Sequence, residues 1–261
     1  MSSGNVLIAR STRTGAVVAK IAKTQNSTTG NFLKSVIAAA ALSTCAMAQA
    51  DVTLTFEGVA ENPFIYNYER TDFGQYWLDT YSGAGPADES WVGSLVDGST
   101  NDICFGLACP INNKSQYYAA LNDSYLVFGL SDKSQFKLQS LQASFIGAGQ
   151  ASFPAVSGVL VLQGYDANGF AIGGATMQLG LSGPTGGAFN FANYNTTPLS
   201  NTLVSSVRVL GYACDAATNC FRNTNLANFA IDNVVTVPEP MSLALFGFGL
   251  AGLAAARRRR T

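Results

Sequence analysis

Carboxylates carry most of the chemistry that this sequence could perform. The chain has 16 Asp and Glu residues and no histidine. The lack of histidine rules out Ser-His-Asp and Cys-His catalysis and histidine-ligated zinc. Two carboxylates can hydrolyse a glycosidic bond, but spacing selects no catalytic pair. The available acids are Glu57, Glu61, Asp72, Asp79, Asp88 and Glu89. We therefore predict a non-enzymatic protein, with a secreted carboxylate-dependent glycan-active enzyme as the alternative.

Glu57 and Asp232 form the most specific pair of acids. Glu57 follows the first alternating segment, and Asp232 lies in the last one, FAIDNVV. Both alternate away from the apolar residues of their segments. The segments TFEG and IDNV resemble the calcium-stabilised jelly rolls of carbohydrate-binding modules and lectin-like adhesion domains. The resemblance implies neighbouring first and last strands whose acids help to ligate a structural Ca²⁺, an ion that prefers oxygen ligands. The alternative is that both are simply exposed acids on their strands.

Aromatic residues are concentrated in the segment NPFIYNYERTDFGQYWLDTY, residues 62–81. Exposed Trp and Tyr rings suit sugar binding because they combine an apolar body with a polar tip. We predict Trp77 and Trp91 as glycan-contact residues. The alternate members Phe64, Tyr66 and Tyr68 are instead expected to form the core face of a strand.

The four cysteines that follow residue 50 fall in two close pairs, Cys104 with Cys109 and Cys214 with Cys220. An even number in an exported chain predicts disulfides, and closure of each short loop is the favoured pairing. Metal binding by thiolates is the alternative, although CxxC spacing is absent.

The two ends of the chain carry targeting signals. Residues 1–50 read as a signal peptide with a basic region ending at Lys34, an apolar stretch and a cleavage site at Ala48-Gln49-Ala50. The Sec translocon and signal peptidase are the implied partners. The basic region is unusually long, so either the signal is extended or the true start codon lies downstream.

The C-terminal segment, residues 237–261, has three consecutive parts. These are Val237-Pro238-Glu239-Pro240, the uncharged stretch Met241–Ala256 and a cluster of four arginines, Arg257, Arg258, Arg259 and Arg260. The stretch predicts a membrane helix, and the arginines would stay on the cytoplasmic side.

This order of parts resembles the PEP-CTERM sorting signal of bacteria. The resemblance implies recognition by exosortase, removal or exchange of the tail, and delivery to the cell surface or an exopolysaccharide matrix. A permanent tail anchor is the alternative, and it predicts that the arginines persist in the mature protein.

Residues 51–236 predict one all-β domain, a single β-sandwich or jelly roll of roughly ten strands. Short runs with period-2 alternation support this, and Asp166-Ala167-Asn168-Gly169 predicts a hairpin turn. The Gly-, Asn- and Ser-rich region from Asp79 to Tyr118 is expected to be a long loop insertion, pinned by Cys104–Cys109.

Charge completes the functional expectation. Between Asp51 and Val237 there are 6 Lys and Arg residues against 15 Asp and Glu, so the body is acidic and nucleic acid is not an expected partner. We expect an exported structural or adhesive protein that associates with exopolysaccharide. A matrix protein that merely self-associates is a further alternative.

Overall fold

The computed structural model describes residues 51–58, 64–83, 91–100, 106–222 and 224–239. In these ranges the chain forms fourteen strands and one 3-10 turn, Leu199–Asn201. The strands are β1 Val52–Leu54, β2 Phe64–Tyr66, β3 Arg70–Phe73, β4 Tyr76–Tyr81, β5 Trp91–Asp97, β6 Gln116–Ala120, β7 Tyr125–Leu130, β8 Phe136–Ile146, β9 Val156–Tyr165, β10 Ala171–Ser182, β11 Ala192–Asn195, β12 Ser206–Cys214, β13 Cys220–Phe221 and β14 Asn228–Pro238.

Several predicted features lie outside the described residues. These are the signal peptide with Ala48 and Ala50, Cys104, Pro240, the apolar stretch Met241–Ala256 and the four terminal arginines. Within the described ranges no helix has the length and apolar character needed to cross a membrane.

Strand β14 lies at the centre of the first sheet, sheet I. The strand order is β11-β8-β14-β6-β5-β2, and all of its pairings are antiparallel. The first residues of β14 pair with β6, and its later residues pair with β1, with Leu54 opposite Val234. The first and last strands are therefore neighbours, as predicted.

The second sheet, sheet II, has the order β10-β9-β12-β7-β4-β3, with β13 attached to β12. Strands β9 and β10 form the predicted hairpin. At its turn the carboxylate of Asp166 accepts hydrogen bonds from the backbone N–H groups of Asn168 and Phe170, each at 2.9 Å. Such an Asx turn is why aspartate is favoured at this position.

The two sheets pack face to face around the main core, which confirms the predicted β-sandwich. Alternate residues of each strand point inward, as Tyr76 and Leu78 do on β4 and Val207 and Val209 do on β12. The Tyr76 hydroxyl also joins the sheets: it donates to the Val52 carbonyl at 2.9 Å and lies 2.6 Å from Thr236 Oγ1. Burial raises the pKa of Tyr76.

A second, smaller core covers the opposite face of sheet I. It contains Val96, Cys109, Tyr117, Ala119, Leu121, Ile146 and Ala230. The segment 106–115 lies over these residues and is held by backbone bonds between Ala108 and Gly147 at 2.8 and 3.1 Å. Sheet I is thus buried on both faces where this segment crosses it.

The predicted loop insertion from Asp79 to Tyr118 is wrong. The region contains the end of β4, all of β5 and the start of β6, and β5 pairs with both β2 and β6. Residues 92–96 of β5 are all buried, so the strand lacks the alternation that marks a half-buried strand. Gly93 is required there, because a Cβ atom would lie 2.4 Å from the Tyr118 hydroxyl.

The expected core face of Phe64, Tyr66 and Tyr68 is also wrong. Ile65 is the buried residue of β2, whereas Tyr66 and Tyr68 are 40% and 61% exposed. The chain turns after Tyr66 and crosses to sheet II as β3, so the alternation does not continue through Tyr68.

Asp123 joins two distant parts of the chain at one end of the sandwich. This fully buried carboxylate accepts backbone N–H bonds from Thr224, Asn225 and Ala227 at 2.6–2.8 Å. Its own carbonyl accepts a bond from Arg222 Nη2 at 2.6 Å. The β6–β7 turn thereby fixes the segment that leads into β14.

We predict that Asp123→Ala destabilises the fold by on the order of 3 kcal/mol, because three backbone donors lose a charged acceptor. Urea denaturation of the mature protein measures the change. Asp132→Ala is the matched control: Asp132 is exposed and bonds only Ser134 in its own turn, so its loss is expected to cost about 1 kcal/mol or less. Equal losses for the two variants would contradict the proposed anchoring role.

Candidate functional site

Glu57 and Asp232 are brought to the same place in the structure. Both contact the segment Asn113–Gln116, which runs into β6. The Gln116 backbone N–H donates to Glu57 Oε1 at 2.7 Å, and Asn113 Nδ2 donates to Asp232 Oδ2 at 2.7 Å. The two carboxylates are close enough for the charge of Glu57 to act on the pKa of Asp232.

Asp232 lies on the outer side of sheet I, on the same face as Ala230 of the small core. It alternates away from the main core as predicted, but it is only 1% exposed because the segment Asn113–Ser115 covers it. The idea of two exposed strand acids is therefore wrong for Asp232. Glu57 is exposed.

The environment of Asp232 is polar and strongly hydrogen-bonded. Besides Asn113, its Oδ2 accepts from Ser115 Oγ at 2.8 Å, and its Oδ1 accepts from the Asn233 backbone N–H at 2.7 Å. The pKa of Asp232 is raised overall, because burial is the largest effect and the neighbouring Glu57 carboxylate adds to it. The hydrogen bonds act in the opposite direction and lower the pKa. Among the described residues, no Lys or Arg forms an ion pair with either acid.

Local backbone geometry holds this cluster in place. Asn233 has a left-handed φ of 47° at an irregularity in the pairing of β14 with β8. Gly98 packs against the covering segment, where a Cβ atom would lie 2.6 Å from the Asn113 carbonyl oxygen. Asn233 thus directs its N–H to Asp232 Oδ1, and Gly98 permits the close approach of the covering segment.

The donor set is chemically suitable for a hard cation such as Ca²⁺. Glu57 and Asp232 supply carboxylate oxygens, and Ser115 Oγ lies 2.8 Å from Asp232 Oδ2, so nitrogen or sulfur ligands are not needed. Within the described ranges no group of three or more His, Cys, Asp or Glu residues converges, so additional ligands would have to be neutral oxygens or water.

Trp77 and Trp91 lie on different sheets and do not share a surface. Trp91 packs edge-on against Phe64 with ring centroids 5.1 Å apart, and its indole N–H donates to the Gly93 carbonyl. It also borders the small core of sheet I. Trp77 lies on the outer face of sheet II, between the inward-pointing residues Tyr76 and Leu78.

The outer face of sheet II carries a group of tyrosines and arginines that the sequence did not reveal. We call it the tyrosine–arginine face. Its members are Tyr68, Arg70, Trp77, Tyr81, Tyr125, Tyr165, Arg208, Tyr212 and Arg222.

Tyrosine rings cluster at one end of this face, on β4 and β7. Tyr81 and Tyr125, opposite each other on β4 and β7, stack with centroids 5.0 Å apart and planes 15° apart. Tyr68 meets Tyr81 edge-on at 5.7 Å. The guanidinium of Arg222 lies 5.9 Å from the Tyr125 ring and 5.8 Å from the Tyr212 ring.

Two other arginines of this face also lie over aromatic rings. Arg70 is 4.5 Å from the Trp77 ring, and Arg208 is 5.3 Å from the Tyr165 ring. Arg70 is bound to Asp79 by two hydrogen bonds of 2.6 and 2.7 Å, which raise its pKa. In the part of the chain that the structure describes, neither Arg208 nor Arg222 has a carboxylate partner.

A groove of about 330 Å³ lies at the end of β12, beyond Tyr212. The disulfide Cys214–Cys220, predicted from spacing, forms part of its wall and closes the turn between β12 and β13. Phe153 and Phe221 supply its aromatic lining. Cys109 is also disulfide-bonded, and its predicted partner Cys104 lies outside the described residues.

Residues 236–260 match the PEP-CTERM protein-sorting motif, which confirms the predicted sorting signal. The motif marks an exported protein that is anchored in the membrane transiently before exosortase cleaves it. Its first residues belong to the folded body: Val237 and Pro238 are paired in β14, and the Glu239 N–H donates to the Gln135 carbonyl at 2.7 Å. No curated protein matches the chain.

Among solved structures, a DUF4465 family protein from Bacteroides caccae is similar over 73% of this chain and 100% of that chain, with 16% identity and a TM-score of 0.49. The family 22 carbohydrate-binding module of Clostridium thermocellum Xyn10B matches 69% of this chain and 97% of its own, with 14% identity and a TM-score of 0.28. The arabinose-bound MgGH51 α-L-arabinofuranosidase matches 71% of this chain and 26% of its own, with 12% identity and a TM-score of 0.33. Similarity at this level leaves the question of function to the residues themselves.

Proposed function

We propose that this protein is a non-catalytic glycan-binding component of the cell surface or extracellular matrix, released there after sorting. The observation that carries the proposal is the tyrosine–arginine face, with its stacked pair Tyr81 and Tyr125. The sorting motif supports the location, since it directs the chain out of the cell and onto a membrane before processing.

The chemistry of this face suits sugar rings. A sugar offers apolar C–H faces and a rim of hydroxyls, and tyrosine offers an apolar ring with a polar tip. The rings are spread over β4, β7, β9 and β12, so they present a rigid surface that loses little side-chain entropy on binding. Trp77 belongs to this face, whereas Trp91 would contribute from another side of the molecule.

The acids on the tyrosine–arginine face favour binding without catalysis. Asp79, an acid on this face, is held by Arg70 through two hydrogen bonds, and Asp72 is opposite Trp77 on the neighbouring strand. Both oxygens of the Asp79 carboxylate are therefore already engaged by Arg70.

Binding is tested with the mature exported protein and a panel of soluble bacterial exopolysaccharides, neutral and acidic, by affinity gel electrophoresis. We expect retardation by at least one polysaccharide. Tyr125→Ala is expected to weaken binding about tenfold, because the stacked platform is lost. Ile111→Ala is the control: this side chain is 52% exposed but lies on the segment that covers sheet I.

Three other results would each contradict the proposal. Release of reducing sugar that is lost on substitution of one Asp or Glu would establish the enzyme alternative. Concentration-dependent sedimentation with no polysaccharide retardation would indicate a matrix protein that only self-associates. Equal retardation of Tyr125→Ala and the unmodified protein would show that glycan binds elsewhere.

We further propose that Glu57 and Asp232 hold a structural Ca²⁺ between the first and last strands. Ser115 Oγ lies 2.8 Å from Asp232 Oδ2 and is available as an additional ligand, whereas Asn113 presents its amide nitrogen to Asp232 and would have to turn its Oδ1 away from Ser115 to bind the ion. The ion would offset the repulsion between two carboxylates that lack a cationic partner in the described residues. Its role would be to secure the covering segment and β1 to β14.

Thermal unfolding with CaCl₂ and with EDTA tests this site. At a calcium concentration 100 times the Kd, binding stabilises the native state by about 2.7 kcal/mol, which raises Tm by several degrees. Glu57→Ala and Asp232→Ala are expected to abolish the shift, whereas Asp166→Ala, which removes a turn acid far along the chain, should retain it. A Tm independent of calcium in the unmodified protein would end the proposal.

A further inference from the structure

We infer that the glycan taken by the tyrosine–arginine face is anionic, a polysaccharide bearing carboxylates, and that Arg208 and Arg222 bind its acid groups. The inference rests on the proposed glycan-binding function and specifies the class of ligand. Neither arginine was identified from the sequence, because only the strand order of sheet II places them beside the tyrosines.

The distribution of cations favours an anionic ligand. Residues 51–237 contain three arginines, Arg70, Arg208 and Arg222, and every one lies on this face over an aromatic ring. The rest of the body is rich in acids, as the excess of 15 Asp and Glu over 6 Lys and Arg requires. An anionic polymer is therefore repelled by most of the protein and attracted to one surface of it.

Arg208 has an uncompensated charge near the middle of sheet II. It lies on β12, with Val127 of β7 and Gln163 of β9 as its cross-strand neighbours. Its side chain has no hydrogen-bond or ion-pair partner within the described ranges, and its Nε atom is buried. The Tyr165 ring supports the guanidinium from one side, 5.3 Å away.

Arg222 is held more firmly but is equally unpaired by acids. One of its terminal nitrogens donates to the Asp123 carbonyl at 2.6 Å, and the rings of Tyr125 and Tyr212 lie within 6 Å of its guanidinium. The carbonyl is uncharged, so the positive charge of the guanidinium is left without a carboxylate in this part of the chain. Both arginines are thus positioned before a ligand arrives.

Guanidinium chemistry then favours carboxylates over neutral hydroxyls. A planar guanidinium donates two parallel N–H bonds to a carboxylate, and such charge-assisted pairs are roughly twice as strong as neutral hydrogen bonds. Partial burial against aromatic rings removes water and strengthens the attraction. Arg70 differs, because Asp79 already supplies its carboxylate. The face therefore has two guanidinium groups that can bind carboxylates, each beside an aromatic ring suited to sugar stacking.

The test compares two polymers that differ in charge alone, dextran and carboxymethyl dextran of equal chain length, with the mature exported protein. We expect carboxymethyl dextran to bind at least tenfold more tightly at low salt, and this advantage to fall as NaCl is raised. Arg208→Gln and Arg222→Gln should each reduce the advantage several-fold. Arg208→Lys should restore only part of it, because the ammonium keeps the charge without the planar pair of donors.

Lys133→Gln is the matched control, since it removes one positive charge from an exposed turn between β7 and β8 and should leave binding unchanged. Thermal unfolding of each variant establishes that the fold is intact; the lysine variant of Arg208 keeps the test valid if the glutamine variant fails to fold.

The outcomes separate this inference from the proposed function. Equal binding of both polymers overturns the anionic specificity. An unchanged preference for carboxymethyl dextran in Arg208→Gln and Arg222→Gln overturns the role of these two arginines. Either result leaves glycan binding standing. Retardation by no polysaccharide in either the exopolysaccharide panel or this pair overturns both. Equally tight, Arg208-dependent binding of a single-stranded oligonucleotide would show that the face recognises stacked anionic polymers in general, and would also overturn the inference.

Discussion

Strand β14 is the constraint on which the rest of the structure depends. It pairs with β8 along most of its length, with β6 near its start and with β1 near its end. Thr236 also meets the Tyr76 hydroxyl of sheet II, so the same strand helps to hold the two sheets together. Because its partners come from the beginning and the middle of the domain and β14 is the last strand, sheet I is completed only when β14 is in place.

The outer faces of the two sheets differ in how far they are covered. Segment 106–115 covers sheet I, creates the small core and buries Asp232 beneath Asn113 and Ser115. In the described ranges the outward residues of β4 and β12 in sheet II are partly exposed, and guanidinium groups lie over several of the aromatic rings on this face. Arginine can cover apolar surface with its stem while its head stays hydrated, which keeps such a face soluble without an additional layer. Coverage therefore favours a structural role for the first face, and openness favours a binding role for the second.

The sequence pattern predicts strands best where one face is buried and the other is solvent-exposed. The hairpin of β9 and β10 was predicted because alternation survives in these strands and because the Asp166 turn has a local signal. Strand β5 was missed because the small core buries its second face, and Gly93 and Ser94 resemble loop residues. The proximity of Glu57 and Asp232 was predicted from the sequence motif. The segment that covers Asp232 was not predicted. The tyrosine–arginine face is a long-range property: Arg70, Arg208 and Arg222 meet only through strand order.

The position of the sorting motif connects the fold to the fate of the chain. The matched segment begins at residue 236, inside β14, and the strand continues through Val237 and Pro238 opposite Lys137 and Phe136. The folded body therefore extends into the matched segment as far as Glu239, whose N–H is bound to the Gln135 carbonyl. A load applied to the tail reaches β14, which pairs with three other strands. Withdrawal of β14 from the sheet requires breaking its pairs with β8 and β1 and the Tyr76–Thr236 contact.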